Sequence, residues 1–374
     1  MFCPNRKEVI SVSTRDDVAR KAGVSGATVS RVFNNPDSVS DITREKVLKA
    51  AKELSYHPNI IASNFVKGIS GNIGVVIPRI HNIHMLSVYY FAELLSGIGD
   101  ALSKENYNLL LFYHDLNTIP GNIKYSGDGY SSASCNREYT MFGSDYEKYF
   151  IGKKVDGCIL LGTYANDPSL LSLKKEGYKF CLVNNYIKNS GISFVDIDNI
   201  KGSFDAVEHL INLGHRDIAF LNGPMYYMNS IDRLKGYKKA LETYNIPFNN
   251  DMVFEGNYGR KSGYYTSEKI LSLKKIPSSV FVSNDRMAAG LLQGLLKNGI
   301  KVPQDISIVG YDNSDIATIV TPQLTTVHTP LYELGYKCAY EFINYVKNDN
   351  YNFELFIPPK LVVRNSTINY KILD

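Results

Sequence analysis

The sequence predicts an α/β protein: an N-terminal helix-turn-helix module followed by two doubly wound parallel-sheet subdomains. Three observations predict it. Residues 14–34 read as two short capped amphipathic helices. From Ile73 onward, apolar runs alternate with amphipathic helical stretches. The length of 374 residues also exceeds what one hydrophobic core usually supports.

The first element is TRDDVARKAGVSGATVSRVFN. Thr14 is placed to cap the first helix, and Asp17 three residues later completes a capping-box pattern. Gly23 and Val24 form the turn, and Ser25 is placed to cap the second helix. Val18, Ala19 and Ala22 make one apolar stripe, and Val29, Val32 and Phe33 make the other. Small polar residues and Arg31 leave the outer face of the second helix low enough to enter a DNA major groove. Capped helix pairs are common in other settings, so spacing alone leaves DNA binding and plain packing both open. A third helix is expected from Asp41 to Leu54, capped by Ser40, with Val47, Ala50, Ala51 and Leu54 inward. Pro58 breaks the chain, Asn59 to Lys67 allow two helical turns, and GISGN reads as a linker.

The strings DVARKAGVSGATVSRVFNN and VSDITREKVLKAAKELSYHPN resemble the headpiece of the lactose/galactose repressor family of bacterial transcriptional regulators. That family shows AGVSxxTVSRVxN followed by TRxxVxxAxxxLxYxPN, and later motifs extend the similarity over most of the chain. The resemblance implies a DNA-binding headpiece over 1–58, a hinge helix and linker over 59–71, and an effector-binding and dimerisation core over 72–374. It also implies a periplasmic-binding-protein-like core. Subdomain one is expected over about 72–184 and 314–344, and subdomain two over about 185–313 and 345–374. The crossovers are expected near Asn184 to Ile187 and near Asp312 to Ile316.

In the headpiece, Gly26 and Ala27 match the two positions whose side chains tell operators apart in the family. With no side chain and one methyl, they offer at most an apolar contact to a thymine methyl. Arg31 has the planar fork that binds guanine O6 and N7. Thr14, Ser25, Thr28, Ser30, Asn34 and Tyr56 are the further DNA-facing candidates. Thr28, Ser30, Asn34 and Tyr56 suit phosphates, which fix register without reading sequence; a role inside the helix is the other reading of Thr28. In the hinge, Asn59, Ala62 and Phe65 are candidates. Phe65 takes the place of the family's leucine wedge in the minor groove, or else it is a packing residue of a linker. Ser63 replaces the common arginine and removes one minor-groove contact.

The core reads as strands IGVVIP, NLLLFY, VDGCILLG, YKFCLVNN, ISFVDID, RDIAFLNG, SSVFVSN and ISIVGYD. Helices are expected near 90–104, 200–213, 232–244 and 285–298. Such units bind ligands at the carboxyl ends of their strands. MNSIDRLKGYKKAL resembles the family segment whose arginine, three residues before glycine, fans hydrogen bonds onto sugar hydroxyls, and Arg233 is that arginine. Tyr258 takes the place of the aromatic that stacks on a pyranose face. Asn284, Asp285 and Asp312 match strand ends facing the cleft, and Asn184 and Tyr90 complete the expected set. An aromatic platform with Arg, Asp and Asn suits a neutral polyhydroxylated ligand, a carbohydrate. Each member has an ordinary alternative: Asp285 as a helix cap, Asp312 as a turn residue, Tyr258 as packing. The region IPRIHNIHMLSVYYFAELLSGIG departs from the family, with Arg79 and extra residues before the Gly-Ile pair.

Composition limits the function classes. A 44% hydrophobic, 21% charged chain is of ordinary soluble type. Residues 1–70 hold 11 Lys+Arg against 7 Asp+Glu, while the rest balances at 30 each, so the excess of +4 sits on the module expected to meet phosphates. Cys3, Cys135, Cys158, Cys181 and Cys338 share no metal-like spacing and read as reduced thiols. No signal-like or membrane-spanning run is evident, so a cytoplasmic protein is expected. His81 and His84 lack a third ligand and do not read as a metal pair. Residues 115–145, rich in Gly, Ser, Tyr and Asn, read as a long surface loop. There is no G-x-S-x-G, P-loop, H-E-x-x-H or strand-linked G-x-G-x-x-G, so neither an enzyme nor a cofactor is expected. The expected protein is a homodimeric repressor on a pseudopalindromic operator, controlled allosterically by a sugar. A corepressor-dependent regulator and, further off, a sugar-binding receptor without DNA function are the alternatives.

Overall fold

The computed structural model describes residues 13–57, 68–79, 88–115 and 145–370, in two compact units, Met1–Ser70 and Gly71–Asp374. The first unit holds α1 (Arg15–Ala22), α2 (Gly26–Asn34) and α3 (Asp41–Glu53). Val18, Val29 and Val47, one from each helix, are wholly buried in a single small core. Thr14 and Asp17 form the expected capping box, and Ser25 accepts from the Thr28 amide at 3.1 Å. Gly23 closes α1 in the left-handed region at φ 68°, which a residue with a Cβ adopts only at a cost. Ser40 precedes α3 but does not cap it through its side chain; its hydroxyl lies 3.0 Å from that of Thr43 instead.

The second unit contains two six-stranded sheets. Sheet one is made of β1 (Asn72–Arg79), β2 (Asn108–Asp115), β3 (Gly157–Leu161), β4 (Phe180–Val183), β5 (Ser193–Ile197) and β11 (Glu354–Ile357), in the order β11-β5-β4-β3-β1-β2. Sheet two holds β6 (Ile218–Asn222), β7 (Val253–Glu255), β8 (Ser279–Val282), β9 (Ser307–Asp312), β10 (Thr325–His328) and β12 (Lys360–Val362), in the order β12-β10-β9-β8-β6-β7. All neighbours are parallel except β12, which runs antiparallel to β10. The central strands are buried on both faces because helices cover each side. Along β3, Ile159 and Leu161 enter one core while Cys158 and Leu160 enter the other, the period of two that a strand imposes. Helices α4 (Tyr89–Lys104), α5 (Pro168–Lys175) and α11 (Leu331–Lys347) belong with sheet one. Helices α6 (Asn199–Asn212), α7 (Met228–Thr243), α8 (Arg260–Leu271), α9 (Asp285–Lys297) and the short α10 (Ile316–Ile319) belong with sheet two.

The crossovers differ from those expected. β5 pairs with β4 (Val183↔Val195), so the chain leaves sheet one after Ile197, not near Asn184 to Ile187. It returns after β10, not near Asp312 to Ile316, and crosses a third time between β11 and β12. The reason is local: β4 and β5 are joined without a helix and pair side by side, so the boundary falls one strand later than the resemblance implies. Residues 345–374 likewise divide between the sheets, since β11 lies in sheet one and β12 in sheet two.

Helix α7 begins four residues before the 232 expected, and its course is fixed by Gly236. A Cβ there would lie 2.3 Å from the carbonyl oxygen of Ile200 in α6. This close crossing explains the spacing of Arg233 and Gly236, because the glycine lets α7 lie on α6 and the arginine one turn earlier reaches the strand ends. Gly236→Ala is expected to force the helices apart, costing about 1–3 kcal/mol as overpacking. Urea denaturation would measure it, and an unchanged midpoint would contradict the contact.

Cys158, Cys181 and Cys338 are buried free thiols, with the Cys181 and Cys338 sulfurs 3.5 Å apart. Among the described residues, no helix is long and apolar enough to cross a membrane and no group of His, Cys, Asp or Glu could hold a metal. Cys3, Cys135, His81, His84 and residues 116–144 lie outside the described residues.

Candidate DNA interface and effector cleft

On the headpiece, Val29 and Val32 turn α2 inward, which leaves Ala27, Arg31 and Asn34 exposed and Ser30 half-buried on the opposite side. Arg31 has no hydrogen-bond or ion-pair partner among the described residues, whereas Arg15, Arg20, Lys21 and Arg44 pair with Asp16, Asp17, Glu53 and Asp41. Its guanidinium is therefore available to an external acceptor. Gly26 lies beneath the Arg15 side chain, where a Cβ would come within 3.0 Å of Nε. Thr28 turns its hydroxyl to Ser25 at 2.9 Å, within the cap. Tyr56 is half-buried, with its ring 6.0 Å from that of Phe33. Asn59, Ala62 and Phe65 lie outside the described residues.

In the core, the carboxyl ends of both sheets supply the polar groups. Arg233, 5% exposed, donates from Nε to the Asn199 side-chain oxygen at 2.9 Å and from Nη1 to the Ser283 carbonyl, with its guanidinium carbon 3.9 Å from the Tyr311 ring centroid. These anchors come from the start of α6, the end of β8 and the strand β9. A buried cation fixed at three points is a preorganised donor. Around it lie Tyr90, Tyr258, Tyr311, Asp196 and Asp312; burial pushes the pKa of each upward, and the Arg233 charge opposes it in all five. Tyr90 and Asp196 belong to sheet one's subdomain and the others to sheet two's, so this electrostatic neighbourhood draws on both subdomains.

Of the expected residues, Tyr90 and Asn184 are joined by a hydrogen bond from the Asn184 amide to the phenol oxygen. Tyr258, at φ 63°, is half-buried and shares its hydroxyl with Ser230 at 2.6 Å and Asn229 at 3.1 Å. Asn284 caps α9 by accepting from the Met287 amide at 2.9 Å and donates to the Tyr258 carbonyl at 3.1 Å, so it positions the tyrosine. Asp285 departs from its expected place in the ligand ring. It is wholly buried, one oxygen accepting from Thr326 at 2.6 Å and the other from the Ser314 amide at 2.8 Å. Both oxygens are used inside the protein, and the residue ties α9 to the ends of β9 and β10. Asp312, at φ 103°, ends β9 with no side-chain hydrogen-bond partner among the described residues.

Sequence reasoning missed Asp196, Asn199, Ser283 and Tyr311, all beside strand ends. It also missed the contacts that join the subdomains. The Tyr186 hydroxyl donates to Asp232 at 2.7 Å, the Ala165 amide donates to the Tyr226 carbonyl at 2.9 Å, and the rings of Tyr164 and Tyr226 meet edge-on at 5.2 Å. The strand-end rule flags Asp196 and Ser283; nothing local flags Tyr186.

Burial pushes the Asp312 carboxyl up to about 8 from an ordinary 3.8, with Arg233 opposing and Asp285 adding repulsion. The folded protein thus retains a proton that the unfolded chain has lost, so this group's contribution to stability falls as pH rises from 3.8 to about 8. Asp285 acts in the same direction only up to about 6. Asp312→Asn is expected to flatten the decline in Tm above that point. Thermal melts in matched buffers would test it, and parallel curves for both proteins would contradict it.

A three-helix headpiece with an outward arginine, joined in one chain to a two-sheet core whose strand ends gather polar side chains, is the architecture of a DNA-binding regulator. The comparisons agree. The family model for bacterial regulatory proteins of the lacI family matches residues 14–59, and the periplasmic binding protein-like domain matches residues 207–367. Catabolite control protein A of Priestia megaterium is 33% identical over 353 residues, covering 94% of this chain and 98% of its own. The lac repressor dimer bound to operator and the anti-inducer ONPF superposes with a TM-score of 0.76 at 25% identity, over 96% of this chain and all of the other. The transcriptional regulator CelR–cellobiose complex gives 0.68 at 29% identity, over 95% and 99%. The chain belongs to the lacI family of bacterial regulatory proteins and is a DNA-binding transcriptional regulator.

Proposed function

We propose that this regulator is a repressor, that it binds a pseudopalindromic operator as a homodimer, and that a sugar in the core cleft sets its operator affinity. The observation that carries the sugar reading is Arg233: a buried guanidinium held by Asn199 and Ser283, beside Asp312 and the half-buried Tyr258 ring. Donors, acceptors and an aromatic face within one cleft match the alternating polar and apolar surfaces of a pyranose. Two of the similar structures support it, one a cellobiose complex and one a dimer on operator with an anti-inducer. Arg31 is the proposed base-reading residue, Ser30 and Asn34 flank it toward the phosphates, and Phe65 is the proposed hinge wedge. The ligand switches the protein only through unequal affinity for its two states. A thermal-shift screen of mono- and oligosaccharides, followed by operator gel shifts with each hit, tests this. A sugar that raises Tm and changes operator affinity supports the proposal; hits that leave operator affinity unchanged contradict it.

A further inference from the structure

We propose that Asp196 makes the cleft selective for an effector carrying a protonated amine, an amino sugar rather than a neutral one. The inference rests on the sugar reading above and narrows it.

Asp196 is the penultimate residue of β5, at the carboxyl end of sheet one, and is wholly buried. Its Oδ1 accepts from the Ile197 amide at 2.7 Å and from the Asn199 side chain at 3.2 Å. Its Oδ2 is buried and has no hydrogen-bond partner among the described residues. An acceptor left unpaired in the interior is costly, and native structures keep few of them without a purpose. The nearby cation does not answer it, because Arg233 directs Nε and Nη1 to Asn199 and Ser283 and lays its plane over Tyr311. Asp232, the other near carboxylate, is already matched by Tyr186 and by Lys235 at 2.8 Å. Asp312 has no side-chain hydrogen-bond partner among the described residues, so two unmatched carboxyls are coupled to one guanidinium. Just past β4's end, adjacent to β5 in the sheet, the side-chain oxygen of Asn184 is also buried without a hydrogen-bond partner among the described residues.

Once ionised, the two carboxyls and the Asn184 oxygen are unmet acceptors and the carboxyls outnumber the one guanidinium; the Tyr311 hydroxyl beside them is also unpaired. A sugar hydroxyl brings an acceptor with every donor and no charge. An ammonium brings three donors, no acceptor and the missing positive charge. A phosphorylated sugar would add to the imbalance. The half-buried Tyr258 ring remains for the apolar face of the same ligand.

A second consequence is measurable. Burial raises the Asp196 carboxyl well above the aspartate range, with Asp232 and Asp198 adding repulsion and Arg233 opposing it; Tyr90 and Tyr311 also face it. Burial without a partner therefore favours the protonated acid at Asp196, and a cation beside it favours the carboxylate. Docking of an ammonium beside it converts the acid to carboxylate and releases one proton to the buffer.

The test is calorimetry at pH 6.5, in buffers of different ionisation enthalpy, with glucosamine and glucose, galactosamine and galactose, mannosamine and mannose, and N-acetylglucosamine as the uncharged control. An amine is expected to bind about tenfold or more tighter than its neutral match, as a charge-assisted bond allows, and to release a proton. Asp196→Asn keeps both Oδ1 contacts, so it is expected to melt no lower than wild type while losing both the preference and the proton release. Equal or tighter binding of the neutral partners, or a preference that survives in Asp196→Asn, overturns the role of Asp196 and leaves the sugar reading standing. Binding of none of these sugars overturns this inference, and failure of the wider oligosaccharide screen as well overturns the reading beneath it.

Discussion

Arg233→Ala is expected to abolish the response to sugar while operator binding without sugar stays near wild type. The guanidinium is buried, so its loss strands the Asn199 oxygen and the Ser283 carbonyl, at about 1–3 kcal/mol for each unpaired group. It also removes the only positive charge among those acting on both Asp196 and Asp312 in the described cleft. Both effects fall on the cleft, and the headpiece folds around its own core of Val18, Val29 and Val47. Calorimetry with the sugar identified by the screen, beside operator titrations, measures the two halves separately. Because part of the loss would appear as instability, Arg233→Lys is the companion variant: it keeps charge without the planar fork and should also lose most of the affinity. Wild-type sugar affinity in either variant would move the site elsewhere.

The second large effect is on DNA. Arg31→Ala is expected to weaken operator binding by about 1–3 kcal/mol per half-site if the contact is bidentate to guanine, with the loss confined to one symmetric base position. Arg31 is exposed on α2 and unpaired among the described residues, so the substitution removes no hydrogen bond or ion pair within them. Binding to random DNA should fall much less and should retain its salt dependence, which reports phosphate contacts. Gel shifts on a selected operator and its single-base variants decide it; equal loss on all sequences would make Arg31 a phosphate contact.

The headpiece was legible in the sequence because its determinants are local. The Thr14–Asp17 box, the Gly23 turn and the Val29/Val32 stripe each lie within a few residues, and the structure has all three. The core strands were legible as apolar runs, and Arg233 through its spacing from Gly236. What escaped depends on partners far along the chain. Asp285 reads as a cleft residue until Ser314 and Thr326 are seen to occupy it. Asp196 reads as the polar end of an apolar strand, and its partnerless oxygen is a property of the packed sheet alone. The boundary after β4 failed for the same reason, since β5 joins its neighbour by pairing and not by any pattern within Ser193–Ile197.

The central claim is that cleft and headpiece share one equilibrium. The direct measurement is operator affinity by fluorescence anisotropy across a series of sugar concentrations, with sugar affinity measured on the free and the operator-bound protein. Linkage requires the two affinities to change by the same factor, typically about 5- to 150-fold, whichever sign the effect takes. Reciprocal factors are the result expected. Tight sugar binding that leaves operator affinity unchanged, or factors that differ between the two titrations, would contradict the coupling.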